Sequence, residues 1–111
     1  VGAGAMGGYH VQRLTDAVTG ARVCAVVEPD EERRTQALAH APDAVGYQRL
    51  DDALAAGGVD AVVVATPGSL HADMLLVLLA EGLPVLCEKP LTQDPESSLR
   101  VIEAEQATGD V

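Results

Sequence analysis

Ten residues, Leu83 to Thr92 (LPVLCEKPLT), put an ammonium, a carboxylate and a proline directly after an apolar run. Lys89 is the only lysine among seven Lys and Arg residues. Its ammonium is a compact charge with three donors that can share a proton with a reacting group, a use that guanidinium lacks. The plain alternative is a surface that prefers Arg, with one Lys left over. Glu88 is available beside it as a charge partner.

A second chemical feature opens the chain. VGAGAMGGYH holds Gly2, Gly4 and Gly7 in the G-x-G-x-x-G spacing. Gly2 permits a tight turn, Gly4 lets a pyrophosphate approach bare backbone, and Gly7 lets a helix pack closely on a strand. The helix N-terminus then offers free N–H groups to the anion. Three glycines alone are a weak signal, but Glu28 follows about 20 residues on, at the end of the next apolar run, where such sites carry a ribose-binding carboxylate. A carboxylate there accepts from both ribose hydroxyls and repels a 2'-phosphate, which favours NAD. Arg33 and Arg34 could receive that phosphate, so NADP stays open as the second cofactor. The competing reading of Glu28 is the first of a set of acids ahead of a helix, with Asp30, Glu31 and Glu32.

A third feature is ATPGSLH. Thr66 and Pro67 stop a strand, Gly68 lets backbone approach a ligand, and His71 falls in the first turn of the following helix. His10, His40 and His71 lie in separate predicted helices without companions at ligand spacing, and Cys24 and Cys87 have no metal-ligand spacing. No metal site is therefore expected, and the cysteines read as free thiols in a reducing compartment.

The elements that must hold these residues alternate. Val23–Val27, Ala61–Ala65 and Pro84–Cys87 are short β-rich apolar runs, as expected of strands buried on both faces of a parallel sheet. A shorter candidate spans Ala44–Tyr47, and Val1 reads as the last residue of a first strand. Helices are predicted from Ala5 to about Val18, from Asp30 to about His40, from an Asp51 cap to before Gly57, over Ser69–Glu81, and from an Asp94 cap with Pro95 at the first helical position to Gly109. This order predicts an α/β fold, a doubly wound parallel sheet of Rossmann type, incomplete at both ends. Residues 1–111 then form one dinucleotide-binding domain, truncated in its first strand. With a central strand reduced to its last residue, the piece alone is expected to fold poorly.

Composition narrows the partners. Seventeen acidic against seven basic side chains give a net charge of -10, which repels phosphate backbones and anionic lipid, so neither nucleic acid nor membrane is expected. With no apolar run near the roughly 20 residues of a membrane span and no signal pattern, the expected location is the cytoplasm, with an upstream signal left open.

Taken together, GAGAMGGYH, Glu28, ATPGSLH and CEKPL resemble the N-terminal nucleotide-binding domain of the Gfo/Idh/MocA oxidoreductases, which include inositol and glucose-fructose oxidoreductases. The resemblance covers the whole chain. It implies that Gly2, Gly4, Ala5, Met6 and Gly7 wrap the pyrophosphate and that Glu28 holds the adenosine ribose. It implies that Thr66, Pro67 and His71 line the nicotinamide side, that Glu88 touches the nicotinamide ribose region, and that Lys89 points at the reacting oxygen of the substrate. His10 matches a histidine often seen on the family's first helix, and the proline after the lysine is often cis. Gly68 stands where the family commonly has Asn. The implied activity is hydride transfer between NAD(P) and a sugar, inositol or related polyol, with a histidine acid/base and homo-oligomer contacts supplied by the second domain. A nucleotide-binding sensor without turnover, or a Rossmann reductase of another substrate class, are the alternatives.

Overall fold

The computed structural model describes residues Val1 to Gly109, which fall into two compact units, Val1–Val59 and Asp60 onward. Elements follow in the order α1 (Ala5–Ala17), β1 (Ala25–Val27), α2 (Glu31–His40), β2 (Val45–Tyr47), α3 (Leu50–Ala56), β3 (Val62–Val64), a 3₁₀ turn (Gly68–Leu70), α4 (His71–Ala80), β4 (Val85–Cys87) and α5 (Pro95–Thr108).

In the first unit β1 and β2 pair in parallel, Ala25 opposite Val45 and Val27 opposite Tyr47, with α2 as the crossover. The segment before the glycine turn lies alongside, since Gly2 N donates to Val27 O at 2.8 Å. The Asp30 side chain caps α2 by accepting from Arg33 N at 2.9 Å, with Glu31 and Glu32 in the first turn where the helix dipole favours them. Ala3, Val26 and Ala37 form the buried centre, and Val11, Val23, Leu38 and Ala44 pack on it. The small side chains let strand and helices approach closely.

The start of α3 departs from expectation. The cap is Arg49 rather than Asp51, without a side-chain cap bond, and Asp51 sits inside the first turn. Its carboxylate instead meets the Arg49 guanidinium at 2.9 Å, both exposed, so the acid is drawn back by a charge and not by a backbone amide.

The second unit repeats the β-α-β plan. β3 and β4 are parallel, Val62 opposite Val85 and Val64 opposite Cys87, with α4 as the crossover. Val64 and Leu78 are fully buried, and Leu75, Leu79 and Val101 bring α4 and α5 together. Truncating a core leucine such as Leu78 to Ala typically costs about 2–5 kcal/mol. The predicted start of α5 holds: Asp94 accepts from Ser97 N at 2.8 Å and Pro95 occupies the first turn. The helix predicted over Ser69–Glu81 opens instead as a 3₁₀ turn, because Leu70 N bonds Pro67 O at 2.9 Å before the α-helical ladder begins at His71.

Each strand has three residues, fewer than the apolar run that announced it. Burial and ladder pairing are separate requirements. Val23, for instance, packs on the core without belonging to β1.

Candidate functional site

The glycine turn is shaped as a phosphate site requires. Gly2 has φ 82°, a left-handed conformation that favours glycine. Gly4 caps α1 without a side-chain bond, and a Cβ built on it would meet nothing within 4 Å, so its backbone stands open. α1 carries no acid in its first turn, whereas α2, α3, α4 and α5 each do. The positive end of α1 is thus left uncompensated, which suits an anion. Gly7 is buried against the core side, while Ala5 and Met6 are exposed in the first turn. His10, half-buried, stacks edge-on with Tyr9.

Glu28 lies at this turn. Its Oε2 accepts from Ala3 N at 2.8 Å and its Oε1 from Asp30 N at 3.0 Å, and the residue is buried. Two amides occupy two of about four lone-pair positions, which leaves acceptor capacity for ribose hydroxyls. Below the turn an open cavity of about 400 Å³ runs between α1 and α2, lined by Gly4, Ala5, Gln12, Arg33 and His40 among others. Arg33 therefore borders the glycine turn. Arg34 is tied to the Glu28 loop: its Nη1 donates to Glu28 O at 2.6 Å and to Pro29 O at 3.4 Å. One of the two arginines considered for a 2'-phosphate thus also holds the loop that carries the carboxylate. Gly46 on β2 lets α2 lie close, since a Cβ there would come within 2.8 Å of Leu38 Cδ1 and 3.1 Å of Arg34 Cδ. An anionic dinucleotide thus finds in this unit an open backbone, a helix with no acid in its first turn and a ribose acceptor.

In the second unit the exits of β3 and β4 meet. Glu88 N still donates to Val64 O at 2.8 Å, so the sheet ladder reaches into the Glu-Lys-Pro sequence and Lys89 is the first residue past it. Lys89 is exposed, Glu88 half-buried, and Glu88 Oε2 accepts from Lys89 N at 3.4 Å. The Lys89–Pro90 peptide is cis. His71, expected at a ligand pocket, is fully buried, with Nε2 2.8 Å from Thr66 O and Nδ1 2.9 Å from Pro90 O. Thr66 turns its hydroxyl inward to Met74 Sδ at 3.6 Å, and Pro67 is exposed ahead of the 3₁₀ turn. Gly68 sits against Pro90, whose Cγ would lie 3.5 Å from an added Cβ. Cys87 Sγ is 3.4 Å from His71 Nδ1 and donates to Glu88 O at 3.3 Å; burial, and then the Glu88 charge, push its thiol pKa up. That thiol gave no signal in the sequence beyond its place at a strand end.

A glycine turn opening an uncapped helix, with a strand-end carboxylate bound to the turn, defines a Rossmann-type dinucleotide-binding domain. The profile of the oxidoreductase family with an NAD-binding Rossmann fold, Gfo/Idh/MocA, matches residues 1–111, and the chain belongs to that family. It is 51% identical over 106 residues to an inositol 2-dehydrogenase of Corynebacterium glutamicum, covering 96% of this chain and 32% of that protein. The inositol 2-dehydrogenase of Leifsonia xyli subsp. xyli is 54% identical over 105 residues, covering 95% and 31%. Among solved structures, the myo-inositol dehydrogenase of Lactobacillus casei in complex with NAD(H) and myo-inositol superposes with a TM-score of 0.89 at 34% identity, covering 96% of this chain and 32% of that one. The chain spans about a third of the length of the curated relatives it matches. No helix among the described residues is long and apolar enough to cross a membrane.

Proposed function

We propose that residues 1–111 are the NAD-binding domain of a dehydrogenase that oxidises a hydroxyl of an inositol or a related polyol or sugar, in a cytoplasmic homo-oligomer completed by a second domain. The observation that carries this reading is the position of Lys89. It is the first residue beyond the β3–β4 ladder, at the carboxyl edge of parallel strands, which is where ligands of open α/β sheets bind. The 51% identity to an inositol 2-dehydrogenase supports the substrate class.

In this reading bound NAD supplies the hydride acceptor. Gly2, Gly4, Ala5, Met6 and Gly7 wrap its pyrophosphate, Gly2 by the shape of the turn and the others at the open end of α1, and Glu28 accepts from the adenosine ribose. Thr66 and Pro67 border the nicotinamide side, and Glu88 the second ribose. Lys89 donates a hydrogen bond to the reacting hydroxyl oxygen and stabilises the charge that develops as the proton leaves. The proton acceptor belongs to the second domain.

The test is turnover of the full-length protein with NAD and myo-inositol, followed by formation of the reduced cofactor. Lys89→Ala should lower kcat by roughly 10²–10⁴-fold while NAD still binds. Unchanged turnover in Lys89→Ala would remove the assignment, and NAD binding without turnover on any polyol would favour a sensor.

A further inference from the structure

His71 is a buried polar residue, 1% exposed, whose two ring nitrogens both face main-chain oxygens. Thr66 O, 2.8 Å from Nε2, belongs to the segment leaving β3. Pro90 O, 2.9 Å from Nδ1, belongs to the segment leaving β4, one residue past Lys89. The same two segments touch where Gly68 lies against the Pro90 ring. A rigid imidazole places its two nitrogens on opposite sides of the ring. It donates at one nitrogen when neutral and at both when doubly protonated, and the Cys87 sulfur at 3.4 Å gives Nδ1 a third neighbour. No side-chain amide of similar length reproduces this bridge, because its donors sit on a single nitrogen.

Both ring nitrogens thus face main-chain oxygens in a buried site, and neither is turned toward a cofactor. Lys89 is exposed on a flexible stem, so what the fold fixes is the backbone position from which that stem departs. We infer that His71 is a positioning residue for Lys89: its ring clamps the exit of β3 to the Lys89–Pro90 segment and so fixes the root from which the ammonium reaches. This rests on the catalytic assignment of Lys89 made above.

The experiment is a double-mutant cycle in the full-length enzyme, with His71→Gln and His71→Asn each made in the natural and the Lys89→Ala backgrounds. Titration with NAD counts the competent sites. In the natural background kcat per competent site should fall on the order of 10²-fold, the loss that a misplacement of about 1 Å brings, while NAD affinity stays unchanged. In the Lys89→Ala background the same substitutions should cost nothing further, because the group they position is gone. Equal losses in both backgrounds, an unchanged kcat, a parallel loss of NAD affinity, or failure of both variants to fold would each overturn the clamp. Full turnover in Lys89→Ala would instead sink the assignment of Lys89, whereas an inactive Lys89→Ala beside a fully active His71→Gln would sink the clamp alone.

Discussion

Glu28 and Ala3, 25 positions apart, are joined by a 2.8 Å hydrogen bond from the Ala3 amide to the buried carboxylate. The residue expected to hold the ribose therefore also holds the glycine turn. In the proposed function, cofactor recognition and loop geometry would share one side chain.

Glu28→Gln should weaken NAD binding by roughly 10- to 100-fold, the loss of one charge-assisted hydrogen bond, and should narrow the preference over NADP by removing the charge that repels a 2'-phosphate. Glu28→Ala should in addition destabilise the fold by about 1–3 kcal/mol, since buried amides lose their acceptor. Parallel titrations with both dinucleotides and denaturant unfolding check the two effects. Tighter NADP than NAD binding in the unaltered protein would refute the role.

The two neighbouring arginines should separate in function. Arg33 borders the cavity at the glycine turn, while Arg34 is committed to the Glu28 and Pro29 carbonyls. Arg33→Ala should lower NADP affinity with little change in stability. Arg34→Ala should leave the ratio of NADP to NAD affinity unchanged and lower stability instead, by about 1–3 kcal/mol. A shift of that ratio in Arg34→Ala would contradict the assignment.

The Cys87 thiol should stay protonated and react slowly with alkylating agents at neutral pH, because burial and the Glu88 charge raise its pKa above the ordinary 9.0. A thiol pKa raised in the folded state gives stability that is complete below the unfolded value and is lost as pH rises through the folded one. Stability should therefore decline on the alkaline side of about 9, and Cys87→Ala should flatten that limb. An alkylation rate at neutral pH equal to that of a free thiol would speak against it.

Asp94 predicts the opposite limb. Hydrogen bonds from the Ser97 amide and hydroxyl hold its carboxylate below the usual range, so its contribution is present above the unfolded pKa and fades as pH falls through the lowered one. Asp94→Ala should speed amide exchange at Ser97 and fray the first turn of α5, while Asp94→Asn, also a good cap, should preserve it. Equal exchange rates in all three proteins would remove the cap from the account.

Much of the fold was legible because its signals are local. An Asp followed by Pro marks the start of α5, a charge-rich turn marks α2, and the helix–strand alternation gives the parallel pairing. The failures were at places where two local signals compete. At α3 an acid that could cap a helix met an arginine two residues earlier, and the ion pair won. At α4 the helical spacing extended past a turn whose first bond closes as 3₁₀. The glycine turn, Glu28 and Lys89 stood out as candidates by type and spacing, and the structure places Glu28 at the glycine turn and Lys89 just past the β3–β4 ladder.

By itself the sequence determined the alternation of strands and helices, the acidic start of α2, the helix cap at Asp94, and the residues rich in chemistry, since backbone preference and side-chain charge are properties of a residue and its near neighbours. Only the tertiary structure decided what those side chains are spent on. Arg34 turns to the carbonyls of its own loop, His71 bridges two strand exits, and Glu28 reaches back to Ala3. A hydrogen bond forms with whichever partner folding brings to within about 3 Å, and for residues distant in the chain that partner is not written in their spacing.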